Sequence, residues 1–244
     1  MQSHLKRADI KIYVGASMFA VGETWRNATL TAELEKRGYL QVYNPQRDGF
    51  EFTGLIRELS TIQRSEEAER TSKAVIYLLD MKKKTESDVM IANVDEPVDP
   101  GVIVEATKAK QEGKMVILYR TDVRTPFGSY SSDFGGLHDF VGFQGEVFIQ
   151  HAMQSGSVAE GQKEFEVLVD KMDTEMLGAV LAPRHYVRKY ARSVPQTAKE
   201  LALAGILFGG LDTRRLNTQL REVVRRCEAN KESLDALRPK IVKW

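Results

Sequence analysis

Cysteine is nearly absent from this chain of 244 residues. The single thiol, Cys227, excludes an internal disulfide framework and any cysteine-rich zinc site. Histidine is scarce too, with four residues. Neither His138, which precedes Asp139, nor His185 stands at metal-ligand spacing or in a triad-like pattern, and both read as loop or surface residues. No metal and no cofactor is expected. Long hydrophobic runs are missing as well. The longest, Leu201 to Leu211, has 11 residues and includes three glycines, which suits a buried helix rather than a membrane span. The N-terminal stretch lacks an apolar segment of signal-peptide length. A reduced, soluble, cytoplasmic protein is the expectation, and in that setting the Asn27-Ala28-Thr29 sequon is without meaning. Gly15 is not followed by the spacing of a dinucleotide-binding glycine motif, which argues against a Rossmann cofactor site.

What is present is the composition of a globular protein, 42% apolar and 28% charged, long enough to bury a core without staples. The net charge of +1 hides an asymmetry. Residues 173–244 carry 14 Lys or Arg against 8 Asp or Glu, whereas residues 1–172 are net acidic. A basic tail is one mark of nucleic-acid binding. Here Arg214, Arg215, Arg221, Arg225 and Arg226 are interleaved with Leu and Val at helical spacing. They read as a solvated or subunit-facing helix side, and no nucleic-acid partner is expected.

Short apolar runs alternate with longer helical patterns. Ile10–Val14, Leu40–Tyr43, Ala74–Leu79, Met115–Tyr119 and Val147–Ile149 read as five strands. Their near-continuous apolar character predicts a parallel sheet covered on both faces. Glu23–Arg37, which stops at Gly38, Gly54–Ser72 and Pro100–Glu112 fit crossover helices. The fold class is therefore α/β, a doubly wound parallel five-stranded sheet. From about residue 150 only helical patterns follow, over 159–172, 174–181, 198–208 and 214–237, broken by Pro183, Pro195 and Gly209-Gly210. The expected division is an α/β domain over 1–172 and a basic C-terminal helical extension over 173–244.

In such sheets ligands bind at the carboxyl ends of the strands. Asp99 followed by Pro100 reads as an N-cap and first-turn proline. On the helix they open, Val102, Ala106 and Ala109 form one stripe, and Glu105 borders it. That puts a carboxylate at the core edge near the ligand end; the alternative is a surface glutamate. Gly15 allows a close approach to the backbone, or forms a simple turn. The hydroxyl of Tyr13 can hold a buried carboxylate, or Tyr13 is a core aromatic. Gln46 and Asp48, in Pro45-Gln46-Arg47-Asp48-Gly49-Phe50, supply donors and acceptors suited to a nucleobase edge, or an ordinary polar turn.

Taken together, I-Y-V-G-A-x-M-F near the start, N-P-Q-R-D-G after the second strand, and D-P-G-x-x-x-E-A followed by G-K-M-V-I-L-Y-R-T-D resemble the nucleoside 2-deoxyribosyltransferases over roughly residues 9–170. The resemblance implies a flavodoxin-like sheet and transfer of 2-deoxyribose between nucleobases, with nucleosides and free nucleobases as partners in nucleotide salvage. It implies Glu105 as the nucleophile, Tyr13 as its hydrogen-bond partner, Asp99 and Gly101 in the substrate site, Phe19 lining it, and Gln46 as a base contact. It further implies a homo-oligomer whose sites are completed by a neighbouring chain. A carboxylate stabilises an oxocarbenium-like state at the anomeric carbon and then forms a sugar ester. Members often carry an acidic base-binding residue about eight residues before the third strand, where Ser65 stands here, and Asn-Met in the last strand, where this chain has Glu146-Val147. The alternatives are an N-glycoside hydrolase acting on nucleosides or their 5′-monophosphates, and a nucleotide-binding module without catalysis.

Overall fold

The computed structural model describes residues 6–50, 52–181 and 195–236. In chain order the elements are β1 (Lys11–Gly15), α1 (Val21–Lys36), β2 (Gln41–Tyr43), α2 (Pro45–Asp48), α3 (Phe52–Leu59), α4 (Ser65–Glu86), β3 (Val89–Asn93), α5 (Pro100–Gln111), β4 (Met115–Arg120), α6 (Asp139–Gly142), β5 (Val147–Gln150), α7 (Val158–Leu181), α8 (Pro195–Phe208), α9 (Leu220–Ala229) and α10 (Lys231–Asp235). Short 3-10 turns cover Arg7–Asp9 and Thr213–Gln219. The chain divides into two compact units, Met1–Asn44 with Lys84–Arg192, and Pro45–Lys83 with Ser193–Trp244.

The first unit holds a five-stranded sheet in the order β2-β1-β3-β4-β5. Every pairing is parallel. This is the flavodoxin-like order, whose reversal lies between β1 and β3. Successive side chains leave a strand on opposite faces, and both faces here are apolar. Ile12, Val14, Val89, Ile91, Ile117 and Tyr119 share one core with Leu30 and Leu34 of α1 and with Phe165, Leu168 and Met172 of α7. Tyr13, Met90, Ala92, Val116 and Leu118 share the other with Val102, Ala106 and Ala109 of α5. Each fully buried side chain of this size contributes about 1.5–3 kcal/mol, so both layers are needed. Helix α1 stops where expected, with Gly38 at φ +93°; the amides of Gly38 and Tyr39 donate back to Glu35 and Leu34 at 2.9 and 3.3 Å.

The third strand is not where the apolar run predicts it. Ala74–Leu79 lies inside α4, and the strand beside β1 is Val89–Asn93, buried throughout. The reason is periodicity. Ala68, Thr71, Ser72, Val75, Leu78 and Leu79 are the buried residues of α4 in this stretch, a spacing of three and four that only a helix satisfies. On its outer side Lys73 pairs with Glu69, one turn away, at 2.6 Å. A six-residue apolar run taken alone does not separate strand from helix. The expected helix Gly54–Ser72 is correspondingly two helices, α3 and α4.

Helix α7 is continuous through Met172 and Asp173, so the boundary expected at residue 172 falls inside a helix. Asp173 is also tied to the sheet unit. Arg7 donates from Nε and Nη2 to its two carboxylate oxygens at 2.8 and 2.9 Å, and the Tyr39 hydroxyl donates to Oδ1 at 2.7 Å. Pro183 and His185 lie outside the described residues.

The second unit is helical. Leu55 and Leu59 of α3, Val75 and Leu78 of α4, Leu203, Leu207 and Phe208 of α8, and Val223 and Cys227 of α9 form its core. Arg225 is exposed and pairs with Glu222, as a solvated face requires. Arg226 does more: its Nη1 donates to the carbonyls of Leu207 and Gly209 at 3.2 and 2.8 Å, closing the C-terminal end of α8. Among the described residues no helix is long and apolar enough to cross a membrane.

The Arg7 ion pair is the leading cause that holds the Asp173 carboxyl below its ordinary range, burial opposing it and Tyr39 adding to it. A depressed carboxylate stabilises the fold above its unfolded pKa, and that contribution is lost as pH falls through the folded value. Asp173→Ala removes the pair and strands the Tyr39 hydroxyl. It is expected to cost about 1–3 kcal/mol and to lower the melting temperature by roughly 2–10 °C at pH 7. The gap to wild type should shrink in melts recorded near pH 3.

Candidate active site

Tyr13 leaves β1 on the face covered by α5. Its ring is fully buried and stacks on Tyr43 of β2 with centroids 5.8 Å apart and planes 17° apart. From that fixed position its hydroxyl donates to Glu105 Oε1 at 2.9 Å. Glu105 sits in the second turn of α5, half-buried, beside the buried Val102–Ala106–Ala109 stripe.

The other oxygen of Glu105 meets the end of β1. A Cβ built on Gly15 would lie 3.1 Å from Glu105 Oε2 and 2.6 Å from Met90 Cε. Glycine at 15 is therefore what lets the carboxylate rest against the strand. Tyr13, Gly15 and Glu105 are brought together, each from a different constraint: strand alternation, absence of a side chain, helix periodicity.

Asp99 caps α5 as expected. Its Oδ1 accepts from the amides of Gly101 and Val102 at 2.6 and 3.3 Å. A Cβ on Gly101 would lie 2.9 Å from that oxygen, so this glycine keeps the cap tight. Asp99 also lines a cleft of about 350 Å³ at the carboxyl ends of β1, β3 and β4. Glu23 and Arg26 of α1, Asp95 and Glu96 after β3, and Arg124 after β4 share its wall.

The Phe19 side chain is 86% exposed; its backbone amide donates to Glu23. Gln46 and Asp48 lie on α2, in the second unit. Gln46 is exposed, and Asp48 is buried and pairs with Arg47 at 2.8 Å. With β3 beginning at Val89, the place for an acid about eight residues earlier moves from Ser65 to Asp80–Met81. Asp80 is in α4, where burial pushes its carboxyl up to about 7. Glu146, at the last strand, is used structurally: its amide donates to Val116 O at 2.9 Å, and its Oε2 accepts from Val116 N at 2.6 Å. Burial raises its carboxyl, with the Val116 amide acting against that.

The residue that sequence reading missed is Asp95. It is buried and accepts from Arg26 Nη1 at 2.6 Å, from the amide and hydroxyl of Thr121 at 2.6 Å each, from the Asp122 amide at 3.0 Å and from Asn93 Nδ2 at 3.1 Å. Asp122 answers in kind, accepting from the Glu96 amide at 2.8 Å and from Arg120 Nε at 2.7 Å. The Thr-Asp pair quoted from the sequence is thus the clamp between the ends of β3 and β4. The misplaced third strand hid this, because Asp95 follows the true strand by two residues. Asn27 of the sequon is also buried and donates from its amide to Ser17 O at 2.9 Å.

Asp95→Ala leaves Arg26 and two loop amides without their acceptor. It is expected to cost about 3–5 kcal/mol, read as a drop in melting temperature of more than about 6 °C. Asp95→Asn should cost less, since it keeps one oxygen acceptor.

No curated protein matches the chain. The sequence profile of the nucleoside 2-deoxyribosyltransferase family matches residues 12–161, a span that begins in β1, contains Tyr13, Gly15, Asp99 and Glu105, and ends in α7. Membership implies a glycosyl-transferring enzyme that handles nucleosides and nucleobases. With that match over the sheet and its cleft, the chain belongs to the nucleoside 2-deoxyribosyltransferase family.

Proposed function

We propose that the protein transfers 2-deoxyribose between nucleobases through a covalent intermediate on Glu105. The supporting observation is the Glu105 carboxylate itself, held at one oxygen by Tyr13 at 2.9 Å and resting at the other against Gly15. A nucleophile that must meet one carbon in line gains from such restraint.

In the first step a Glu105 oxygen bonds to the anomeric carbon as the bond from that carbon to the base nitrogen breaks. The base leaves with the electron pair and takes up a proton from an acid or water beside its ring. The positive charge that develops on the sugar is stabilised by the carboxylate, and collapse gives a glycosyl ester. In the second step a nitrogen of the incoming base attacks the same carbon, Glu105 departs as carboxylate, and the incoming base loses its proton. Two inversions give net retention. Tyr13 is a positioning residue: its hydroxyl donates to one carboxylate oxygen and keeps the other directed at substrate. Asp99, with Oδ1 committed to the cap, offers Oδ2 to the sugar. Gln46 and Asp48 as base contacts rest on their donor and acceptor chemistry, and Gln46 also on the resemblance. The proposal includes a homo-oligomer whose neighbouring chain completes each site, working in cytoplasmic nucleotide salvage.

Incubation with deoxyinosine and adenine, followed by chromatography, should yield deoxyadenosine. Hypoxanthine released at the same rate without adenine would instead identify a hydrolase. Glu105→Ala should abolish turnover while the melting temperature stays near wild type. Tyr13→Phe should lower kcat roughly 10- to 100-fold, matching the loss of a hydrogen bond to a charged group, about 1.5–3 kcal/mol. Mass spectrometry after exposure to a 2-fluorinated nucleoside should show one sugar on the peptide containing Glu105; an unmodified peptide together with normal turnover removes Glu105 from its role.

A further inference from the structure

Among the described residues the largest fully buried side chain is a cation, Arg120, the last residue of β4. Strand alternation puts it on the face of Val116 and Leu118, which α5 covers and which Tyr13 shares. A buried guanidinium is costly unless its donors are met. Here they are met by three points of the chain that follows. Nε donates to Asp122 Oδ1 at 2.7 Å, Nη1 donates to the carbonyl of Gly135 at 2.8 Å, and Nη2 donates to the carbonyl of Arg124. Residues 121–138 contain no α-helix or strand, so no ladder of their own holds them. The guanidinium bridges the outgoing arm of this loop at Arg124 and the returning arm at Gly135. Close to that bridge the Phe127 amide donates to the Gly136 carbonyl at 3.1 Å, and Gly135 and Gly136 turn the chain with φ of +59° and +76°.

Two routes lead from this neck to the helix that carries Glu105. Along the first, Asp122 Oδ2 accepts from the Glu96 amide at 2.8 Å. Glu96 stands in the connection from β3 to α5, three residues before the cap Asp99. Along the second, Phe134 and Leu137 of the returning arm join the apolar layer that holds Val102 and Ala106 of α5. One side chain thus ties the start of α5 and its buried stripe to the end of β4. Lysine cannot do the same. Its ammonium can serve Asp122, but a single nitrogen lacks the planar fork that spans two carbonyls and a carboxylate.

We propose that Arg120 is a positioning residue for the transfer: it fixes the neck of the β4–β5 loop and, through Asp122 and the returning arm, the placement of α5 and so of Glu105 and Asp99. This rests on the functional reading above, because it takes Glu105 as the group that must meet the sugar.

The test compares the full chain with its Arg120→Lys variant in the exchange of deoxyinosine with adenine, active sites being counted by sugar labelling with the 2-fluorinated nucleoside. The variant should lose roughly 10- to 100-fold in kcat per labelled site while KM for deoxyinosine moves less than about threefold, because a misplaced nucleophile is felt in the transition state. Hydrogen exchange read by mass spectrometry should quicken over 94–101 and 124–136 and stay slow over β1 and β3. A merely structural role would lower the melting temperature and the number of sites and leave kcat per site alone. If Arg120→Lys does not fold, Asp122→Asn, which keeps one oxygen for the Glu96 amide, takes its place with the same kinetic pattern expected. Unchanged kcat per site, or a loss confined to KM, overturns the proposal and leaves the transfer on Glu105 standing. Fast exchange of the Phe127, Gly135 and Gly136 amides in wild type overturns it as well. A wild type that moves no sugar overturns the functional reading, and this one with it.

Discussion

A carboxylate on a helix can lie against a β-sheet only where the strand beneath it gives up its side chain, and only if something polar in that apolar layer receives it. Both conditions are met at one spot. Gly15 removes the obstructing Cβ, and Tyr13, two residues earlier on the same strand and face, supplies the hydroxyl. Stacking on Tyr43 keeps that hydroxyl from wandering. The register of β1 against β2 and β3 is thus a constraint on chemistry as well as on packing. A slip of one residue would send Tyr13 to the α1–α7 face and leave Glu105 against an aliphatic side chain.

The loops above the sheet are organised by charge rather than by apolar contact. Asp95 and Asp122 accept from side chains and amides on both sides of the β3–β4 seam. The buried Asp95 and the half-buried Asp122 are tolerated because several donors converge on each. The cleft draws part of its acidity from this arrangement: Asp95, which fixes the loops, also lines its wall.

Much of this was legible in the chain. Four of the five strands were readable to within about a residue, because buried parallel strands are short, apolar and β-branched. Glu105 was readable because helix periodicity ties its direction to Val102 and Ala106, and Gly38 announced the end of α1. The failures have physical causes. Ala74–Leu79 is as apolar as a strand, and only the wider spacing from Ala68 to Leu79 reveals a helix. Val89–Asn93 is a short apolar run set between a charged stretch and Asp95, so its strand character is masked. Asp95 itself carries no local signature, since its donors come from residues 26, 93, 121 and 122. Glu146, standing where the resemblance implies Asn, extends the ladder beside Val116.

The path of the chain through the sheet has a consequence for its assembly. β1 is flanked by β2, about 30 residues on, and by β3, whose paired residues lie 77 positions away. In the sequence the whole of 45–83, which belongs to the other unit, comes between those two partners. Until that stretch has been synthesised, β1, buried from Ile12 onward, keeps one edge unsatisfied. Loop closure of this length sets a slow step, and an apolar strand edge waiting for it is open to foreign chains. A nascent chain halted shortly after residue 83 therefore holds Tyr13 and its stacking partner Tyr43 but lacks the strand that pairs with the other edge of β1.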